Sequence, residues 1–221
     1  MVVVLIGPPG CGKGTQSAFL APLLNVPVLA TGNILRAVGD SGTPLGKRVR
    51  EVLDSGALVD DSLVNDVIAE RLRAPECANG AILDGYPRTV VQAEALDRLL
   101  ESRGMGEAIA LNFEIDEITM FSRLGARRYC PVCGRVYNLI SQPPAELDFC
   151  DDDGMVLVTR SDDAPDVIRQ RMRAYDEQTA PVVRHFRGRL HRVDATAPTE
   201  AVFAEIEQRL RAPVALATRW S

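Results

Sequence analysis

The chain alternates between short apolar runs and longer segments in which apolar residues recur every three or four positions. The short runs are rich in β-branched and aliphatic residues, as is typical of strands that are buried on both faces of a parallel sheet. We therefore predict strands at Val2–Ile6, Pro27–Leu29, Ala81–Asp84, Glu107–Phe113 and Leu190–Val193. The longer segments between them predict helices, so the order of elements indicates an α/β fold.

Several predicted helices carry capping signals at their ends. Thr43-Pro44 is an N-cap followed by proline, and this helix should stop at Gly56. Asp163 and Asp166 form a capping-box-like start for another helix, which we predict to run through Tyr175. The remaining predicted helices are Gly14–Leu24, Asp61–Arg73, Thr89–Ser102, Glu117–Ala126 and Thr199–Arg211. The last ten residues have no periodicity, which predicts a loose tail from Ala212.

The helical pattern is interrupted between about Arg127 and Asp163. This segment contains three cysteines, several glycines and prolines, and strand-like runs at Arg135–Leu139 and Met155–Val158. We interpret it as an inserted, β-rich module.

Composition limits the classes of function. The chain has 221 residues, 46% of them hydrophobic, which suits one core with small insertions. A net charge of −5 argues against a surface that grips nucleic acid or an anionic membrane. No apolar segment approaches the ~18 residues of a membrane span, and no signal sequence is evident, so we expect a cytosolic protein. Five cysteines without an export signal indicate a metal site or idle thiols rather than disulfides.

A phosphate-binding loop is predicted between the first strand and the first helix. The residues Gly7-Pro8-Pro9-Gly10-Cys11-Gly12-Lys13-Gly14-Thr15 place glycines, a lysine and a hydroxyl where amides and a helix dipole can face phosphates. Gly14 separates Lys13 from Thr15, a departure from the usual lysine followed directly by serine or threonine. Lys13 should contact the β- and γ-phosphates, and Thr15 the phosphate or the Mg²⁺ shell. The alternative is a glycine-rich turn without a ligand.

Two further motifs follow in order, Thr31-Gly32-Asn33-Ile34-Leu35-Arg36 and Asp84-Gly85-Tyr86-Pro87-Arg88. Together with the loop, they resemble the adenylate kinase family over nearly the whole chain. The resemblance implies a P-loop NTPase fold with a five-stranded parallel sheet, and reversible transfer of the ATP γ-phosphoryl group to AMP, giving two ADP. It also implies an AMP-binding segment at 30–59, a mobile lid at 127–163, and a core of 1–29, 60–126 and 164–221. A monomer is the family expectation.

The resemblance assigns nucleotide contacts to individual residues. It places ATP on Gly10, Cys11, Gly12, Lys13, Gly14, Thr15, Arg123 and Arg127. It places AMP on Thr31, Arg36, Gly85, Arg88, Gln92, Arg160 and Arg171. Guanidinium groups suit phosphate because they form paired, directional contacts. Gln92 has a competing role, since Thr89-x-x-Gln92 is also a helix capping box. Thr31 favours AMP over UMP or CMP.

Phosphoryl transfer needs positioned cations rather than a nucleophilic side chain. The resemblance makes Lys13, Arg88, Arg127, Arg160 and Arg171 catalytic, whereas Arg169 and Arg173 are expected to be solvated surface charges. Asp84 should orient magnesium-bound water, with turn capping as the alternative. Asp162 and Asp163 resemble lid-hinge carboxylates. Asn33 stands where the family usually has aspartate. It can still cap the following helix but contributes no negative charge toward the metal and phosphates, so we expect a modest change in magnesium or AMP dependence.

A metal site is predicted in the inserted module. Cys130-Pro131-Val132-Cys133 and the thiol of Cys150 offer three sulfur ligands. By spacing alone, the fourth ligand could be Asp151, Asp152, Asp153 or water; lids in the family place a carboxylate three residues after the cysteine, which favours Asp153 and a structural zinc. Cys11 and Cys77 should be small apolar fillers. The alternatives are a redox pair or a nucleic-acid zinc ribbon.

Three other functions compete with this interpretation. A GTPase-type switch is disfavoured because the chain contains no N-K-x-D motif. A nucleic-acid-binding zinc ribbon is disfavoured by the acidic net charge. The nearest competitor is a kinase that uses GTP as donor, or UMP or CMP as acceptor.

Overall fold

A five-stranded parallel sheet forms the centre of the protein. The computed structural model describes residues 1–211, so the predicted tail from Ala212 lies outside the described residues. The strands are β1 (Val2–Ile6), β2 (Val28–Ala30), β3 (Ala81–Asp84), β4 (Ile109–Glu114) and β7 (Leu190–Asp194), and their order in the sheet is β2-β3-β1-β4-β7. All five predicted strands are confirmed to within two residues at each end, and the P-loop NTPase type of α/β fold is confirmed with them.

The sheet brings the predicted motifs to one edge. β1 is central, with Val2 beside Ala81 of β3 and Val3 beside Ile109 of β4, and every residue of β1 is buried. Because the strands are parallel, their carboxyl ends lie on the same side, where such sheets bind ligands. The glycine-rich loop therefore follows β1 at the same edge at which Asp84 ends β3.

Helices cover both faces of the sheet and form two apolar layers with it. Their bounds are α1 (Lys13–Leu24), α2 (Thr31–Gly39), α3 (Pro44–Ser55), α4 (Asp61–Leu72), α5 (Val90–Ser102), α6 (Glu117–Gly125), α7 (Pro165–Ala174), α8 (Val182–His185) and α9 (Thr199–Arg211). None of the helices in residues 1–211 is both long and apolar enough to cross a bilayer.

Capping signals predicted the ends of α3 and α5 well. The Thr43 hydroxyl accepts a hydrogen bond from the Gly46 amide at 3.0 Å, and the Thr89 hydroxyl accepts one from the Gln92 amide at 3.1 Å. Gly56 closes α3 with φ +78°, a left-handed conformation that glycine adopts without a steric cost.

The predicted caps at Asp163 and Asn33 are wrong. A short 3₁₀ turn occupies Ser161–Asp163, and α7 begins only at Pro165, because the Asp163 carboxylate is bound by arginines instead of amides. Likewise, α2 begins at Thr31, so Asn33 lies inside its first turn and its side chain accepts a hydrogen bond from Arg36. After α7 the chain continues through a π-helical turn and α8, neither of which we predicted.

The inserted module has less strand than expected. A two-stranded antiparallel sheet joins β5 (Arg127–Tyr129) to β6 (Val136–Asn138). The run 155–158, predicted as a strand, forms only isolated bridges, between Phe149 and Val156 and between Tyr129 and Val158. The module instead packs a small cluster of its own from Cys130, Tyr137, Cys150 and Leu157. Because this cluster contains so few apolar residues, the module needs a further source of stability.

Candidate functional site

The glycine-rich loop is shaped to expose amides at the start of α1. Gly12 is the N-cap residue of this helix, with φ +95°, and no side chain of the described residues caps the first turn. The first-turn amides are therefore available to an anion, and the helix dipole favours one. Gly10 also has a positive φ, +76°, and an added Cβ would lie 2.7 Å from the Leu124 side chain. Close packing and backbone conformation thus both require glycine at this position.

Lys13 lies over the loop that precedes it. Its Nζ donates to the carbonyl oxygens of Gly7 and Pro8, each at 2.8 Å, and lies 3.3 Å from the Cys11 Sγ. Neither carbonyl is a counter-ion for the ammonium group. It can therefore turn from them toward a phosphate.

The ends of β2 and β3 hold a second set of polar groups. Thr31 is buried, and within residues 1–211 its Oγ1 has no hydrogen-bond partner. Buried hydroxyls are normally satisfied, so an unpartnered one indicates a place for a ligand or a water. Four residues after the end of β3, Arg88 donates from Nε to the Gly85 carbonyl at 2.9 Å.

The pKa of Arg88 is lowered to about 10, first by burial and then by repulsion from Arg171 and Arg36, although Asp84 and Asp162 oppose the shift. The pKa of Arg160 is also lowered to about 10, by burial and by repulsion from Arg127 and Arg36. Burial is the larger cause of both shifts, and the repulsive part shows that these arginines lie close enough to one another to interact.

Two carboxylates bind the arginines of this site. The Asp163 side chain is fully buried, and its Oδ2 accepts from Arg127 Nε at 2.7 Å, while Oδ1 contacts Arg127 Nη2 and lies 3.2 Å from Arg171 Nη1. Asp162 Oδ2 lies 3.1 Å from Arg171 Nη1 and 3.8 Å from Arg36 Nη1. Burial raises the pKa of Asp162, but four arginines outweigh that effect, and the net pKa is lowered.

Arg160 and Arg123 are held differently. The Arg160 guanidinium lies over the Tyr129 ring, 5.4 Å from its centroid, in a cation–π contact, and within residues 1–211 its side chain makes no hydrogen bond. Arg123 donates from Nη1 to the Ala195 carbonyl at 2.8 Å, at the end of β7. Arg169 and Arg173 lie on the outer face of α7, as predicted, and Arg169 pairs there with Asp166.

Gln92 is buried, and both ends of its carboxamide are engaged. Oε1 accepts from the Arg88 backbone amide at 2.7 Å, and Nε2 donates to Asp61 Oδ1 at 2.7 Å. The capping role that we weighed for Gln92 is thus present, one residue earlier than the usual capping box. Each amide atom retains one further hydrogen-bonding position.

Four side chains in the inserted module converge as a metal site would require. The ligand atoms of Cys130, Cys133, Cys150 and Asp153 all lie within 4.8 Å of one another. The Cys133 and Cys150 sulfurs are 3.5 Å apart, and Cys130 Sγ is 3.2 Å from Asp153 Oδ2. A tetrahedral zinc with bonds of about 2.3 Å has ligand separations of about 3.7 Å, so the donor set fits.

The other two candidate ligands are engaged elsewhere. Asp151 Oδ1 accepts from the Ala145 amide at 2.8 Å, and Asp152 pairs with Arg135. Among the three aspartates, Asp153 is the one beside the thiols.

Comparison with known proteins agrees with this geometry. A family model described as "Adenylate kinase" matches residues 5–190. An adenylate kinase of Pseudothermotoga lettingae is 48% identical over 189 residues, covering 86% of this chain and 87% of its own. Adenylate kinases of Anaeromyxobacter dehalogenans and Thermotoga maritima are 44% and 45% identical, each covering 92% of this chain and 96% and 94% of their own.

The chain belongs to the adenylate kinase family. It is accordingly a phosphotransferase, and the family resemblance inferred from the three motifs is confirmed. In this adenylate kinase the structure shows a helix start without a side-chain cap after the glycine-rich loop, a lysine over that loop, and arginines that share two carboxylates. The structure brings Arg36, Arg88, Arg127, Arg160 and Arg171 into one electrostatic group.

Two side chains that contact the site were not singled out from the sequence. Asp61 contacts Gln92, 31 residues away, and the Tyr137 hydroxyl lies 3.4 Å from the Cys150 sulfur. Asp61 has an adequate local explanation as a favourable acidic residue in the first turn of α4. Neither contact leaves a local signal in the sequence, because each depends on elements that meet only in the fold.

Proposed function

We propose that this adenylate kinase transfers the γ-phosphoryl group of ATP to AMP through the site described above, and so maintains the balance of adenine nucleotides. The observation that carries the proposal is the group of arginines that share Asp162 and Asp163, in a chain that also has the glycine-rich loop with Lys13 over it. In-line transfer spreads charge over the oxygens of the transferred group, so positioned cations supply most of the catalysis.

The donor nucleotide is assigned to the glycine-rich loop. Amides of Gly10, Cys11, Gly12, Gly14 and Thr15 would hold its β- and γ-phosphates, supported by the uncapped start of α1. Lys13 would exchange its two carbonyl partners for phosphate oxygens. Arg123 would lie over the donor adenine and Arg127 would contact the phosphates.

The acceptor nucleotide is assigned to the ends of β2 and β3. Thr31, with its unpartnered buried hydroxyl, would meet AMP along with Gly85 and Gln92. Arg36 and Arg88 would bind its phosphate, with Arg160 and Arg171 between the two nucleotides. Burial of Arg88 and its repulsion by Arg171 and Arg36, which together lower its pKa, support this role, because an incoming dianion would offset both.

Magnesium would be held beside the loop. Asp84 ends β3, and its Oδ2 would lie 3.6 Å from a Cβ added at Gly14. No side chain in residues 1–211 pairs with this carboxylate, so it is free to bind magnesium-bound water, with the Thr15 hydroxyl nearby in the loop. When bound with ATP, magnesium would neutralise charge on the β- and γ-phosphates. Asp84 and Thr15 would orient the water molecules around it.

The inserted module, 127–163, would close as a lid, while 30–59 would close over AMP and the rest of the chain would form the core. Closure excludes water, which would otherwise accept the phosphoryl group. A structural zinc on Cys130, Cys133, Cys150 and Asp153 would hold the small lid together. Four protein ligands leave no open position for a substrate.

Zinc analysis of protein purified without chelator tests the metal proposal, with about one zinc expected per chain. Cys130→Ser should abolish zinc binding, whereas Cys77→Ala, at a buried cysteine outside the cluster, should retain it. By analogy with a cross-link closing the 17-residue span from Cys133 to Cys150, the metal would stabilise the lid by ~3 kcal/mol. Chelation should lower the Tm of the Cys77→Ala protein by several degrees and leave that of Cys130→Ser unchanged.

A coupled assay scanning AMP, CMP, UMP and GMP against ATP and GTP tests the reaction. We expect ATP with AMP to give the highest kcat/KM, since the comparisons do not favour a GTP donor or a UMP or CMP acceptor. Lys13→Met should abolish transfer, and Lys47→Met, at the exposed lysine of α3, should not. A higher rate with any other nucleotide pair would refute the assignment. We further propose that the enzyme is a cytoplasmic monomer.

A further inference from the structure

The orientation of the Gln92 carboxamide is chemically determined. Its Oε1 faces a group that can only donate, the Arg88 backbone amide at 2.7 Å. Its Nε2 faces a group that can only accept when ionised, the Asp61 carboxylate at 2.7 Å. Rotating the amide by 180° would set oxygen against carboxylate and NH₂ against NH. Gln92 is 2% exposed, so water could not relieve either contact.

This orientation has a consequence for base recognition. Adenine presents an acceptor at ring position 1 and a donor at position 6, whereas the 6-oxopurines present a donor and an acceptor there. A carboxamide that turns freely can pair with either pattern. One held in a single orientation pairs with one pattern and opposes the other.

We propose that Asp61 is the positioning residue that holds Gln92 in one orientation and thereby makes the acceptor site select adenine over 6-oxopurines. The inference rests on the proposed function, in which Gln92 meets the acceptor base. Asp61 acts through Gln92 and does not itself touch the nucleotide.

Capping of α4 does not explain the placement of Asp61. Asp60 already caps this helix, with its Oδ1 accepting from the Ser62 and Leu63 amides at 3.0 and 3.3 Å. Both oxygens of Asp61 instead reach the start of α5, where Oδ1 accepts from Gln92 and Oδ2 accepts from the Thr89 hydroxyl at 2.8 Å. The Asp61 carboxylate therefore binds both Thr89, the N-cap residue of α5, and the side-chain amide of Gln92.

The same contacts connect the base end of the acceptor site to its phosphate end. Gln92 binds the backbone of Arg88, whose guanidinium is turned to the Gly85 carbonyl. The Tyr86 hydroxyl, from a residue between Gly85 and Arg88 in sequence, lies within hydrogen-bonding distance of the Gln92 carbonyl, at 3.1 Å, and of Asn65 Oδ1, at 2.7 Å. Base reading and phosphate binding thus share one rigid turn, which α4 supports through Asp61.

The test compares AMP with IMP, which differs from it only in the donor and acceptor pattern at positions 1 and 6. Initial rates at saturating ATP give kcat and KM for each acceptor in wild type, Asp61→Ala, Asp61→Asn and Asp60→Ala. Calorimetric titration with AMP and with IMP gives the two affinities without turnover. Asp61→Ser is the replacement for Asp61→Ala if the latter does not fold, because serine suits the first turn of a helix.

In Asp61→Ala, the ratio of kcat/KM for AMP to that for IMP should fall about tenfold, mainly through a higher KM for AMP, since one buried partner of Gln92 is lost. Asp61→Asn should keep most of the ratio, because its carbonyl oxygen can still accept from Nε2. Asp60→Ala removes the cap of the same helix and should lower Tm without changing the ratio.

An unchanged ratio in Asp61→Ala, an equal fall in Asp60→Ala, or a wild-type enzyme that accepts AMP and IMP equally would overturn the inference. The proposed function fails separately, if wild type does not phosphorylate AMP. Wild type that prefers AMP strongly, together with Asp61→Ala that prefers it as strongly, would refute the role of Asp61 alone.

Discussion

The fully buried carboxylate of Asp163 offers a sharp test of how the arginines are held. Asp163→Asn keeps the size of the side chain and one acceptor oxygen, but removes the charge that binds Arg127 and Arg171. Two guanidinium groups would then share no buried counter-charge at this position. We expect the ligand-free enzyme to lose stability.

The magnitude follows from burial. Removing one partner of a buried ion pair costs about 3–5 kcal/mol. The Arg127 and Arg171 side chains keep 17% and 19% of their surface exposed, so solvent screens part of the loss, and the substituted asparagine keeps one contact. We therefore expect ~2–3 kcal/mol. At about 2–4 °C per kcal/mol for a chain of this size, Tm should fall by roughly 4–12 °C.

Asp166→Asn is the matched control, because Asp166 also pairs with an arginine of α7 but is 95% exposed. Thermal unfolding followed by circular dichroism should show no measurable change for this variant, and the deficit of Asp163→Asn should persist at about 0.5 M salt. A Tm for Asp163→Asn within about 1 °C of that for Asp166→Asn would refute the reasoning.

Four further predictions follow from the site. Arg88→Lys should lower kcat about a hundredfold, since one positioned donor is lost, whereas Arg173→Lys on the exposed face of α7 should leave kcat unchanged. Asn33→Asp should raise KM for AMP severalfold, because a carboxylate would bind Arg36 more firmly than the present amide does at 2.7 Å; an unchanged KM would contradict this. Gly10→Ala should weaken ATP binding in calorimetry, since its Cβ would meet a leucine of α6 at 2.7 Å. The pKa of Asp162 is lowered in the fold, so its charged carboxylate stabilises the folded state above the unfolded pKa near 4, and this stabilisation is lost as pH falls through the folded pKa. Asp162→Asn should therefore reduce the fall in Tm at acid pH.

The sequence by itself determined the elements whose signals are local. Short apolar runs rich in β-branched residues are typical of the strands of a parallel sheet, and all five predicted strands were found. Thr43-Pro44 with Gly56, and Thr89 before α5, marked helix ends because capping acts within one turn. The loop from Gly7 to Thr15 and the spacing of the cysteines were equally local, so their chemistry could be read before any fold was known.

Only the tertiary structure decided what the charged side chains do. Asp163 has the sequence context of an N-cap, yet it binds Arg127 across 36 residues, because a buried carboxylate gains more from two guanidinium groups than from one amide. Gln92 could be a cap or a base reader, and its contact with Asp61 exists only because α4 and α5 pack together. Periodicity records which face of an element is buried, but carries no information on which partner a polar group meets when distant elements come together.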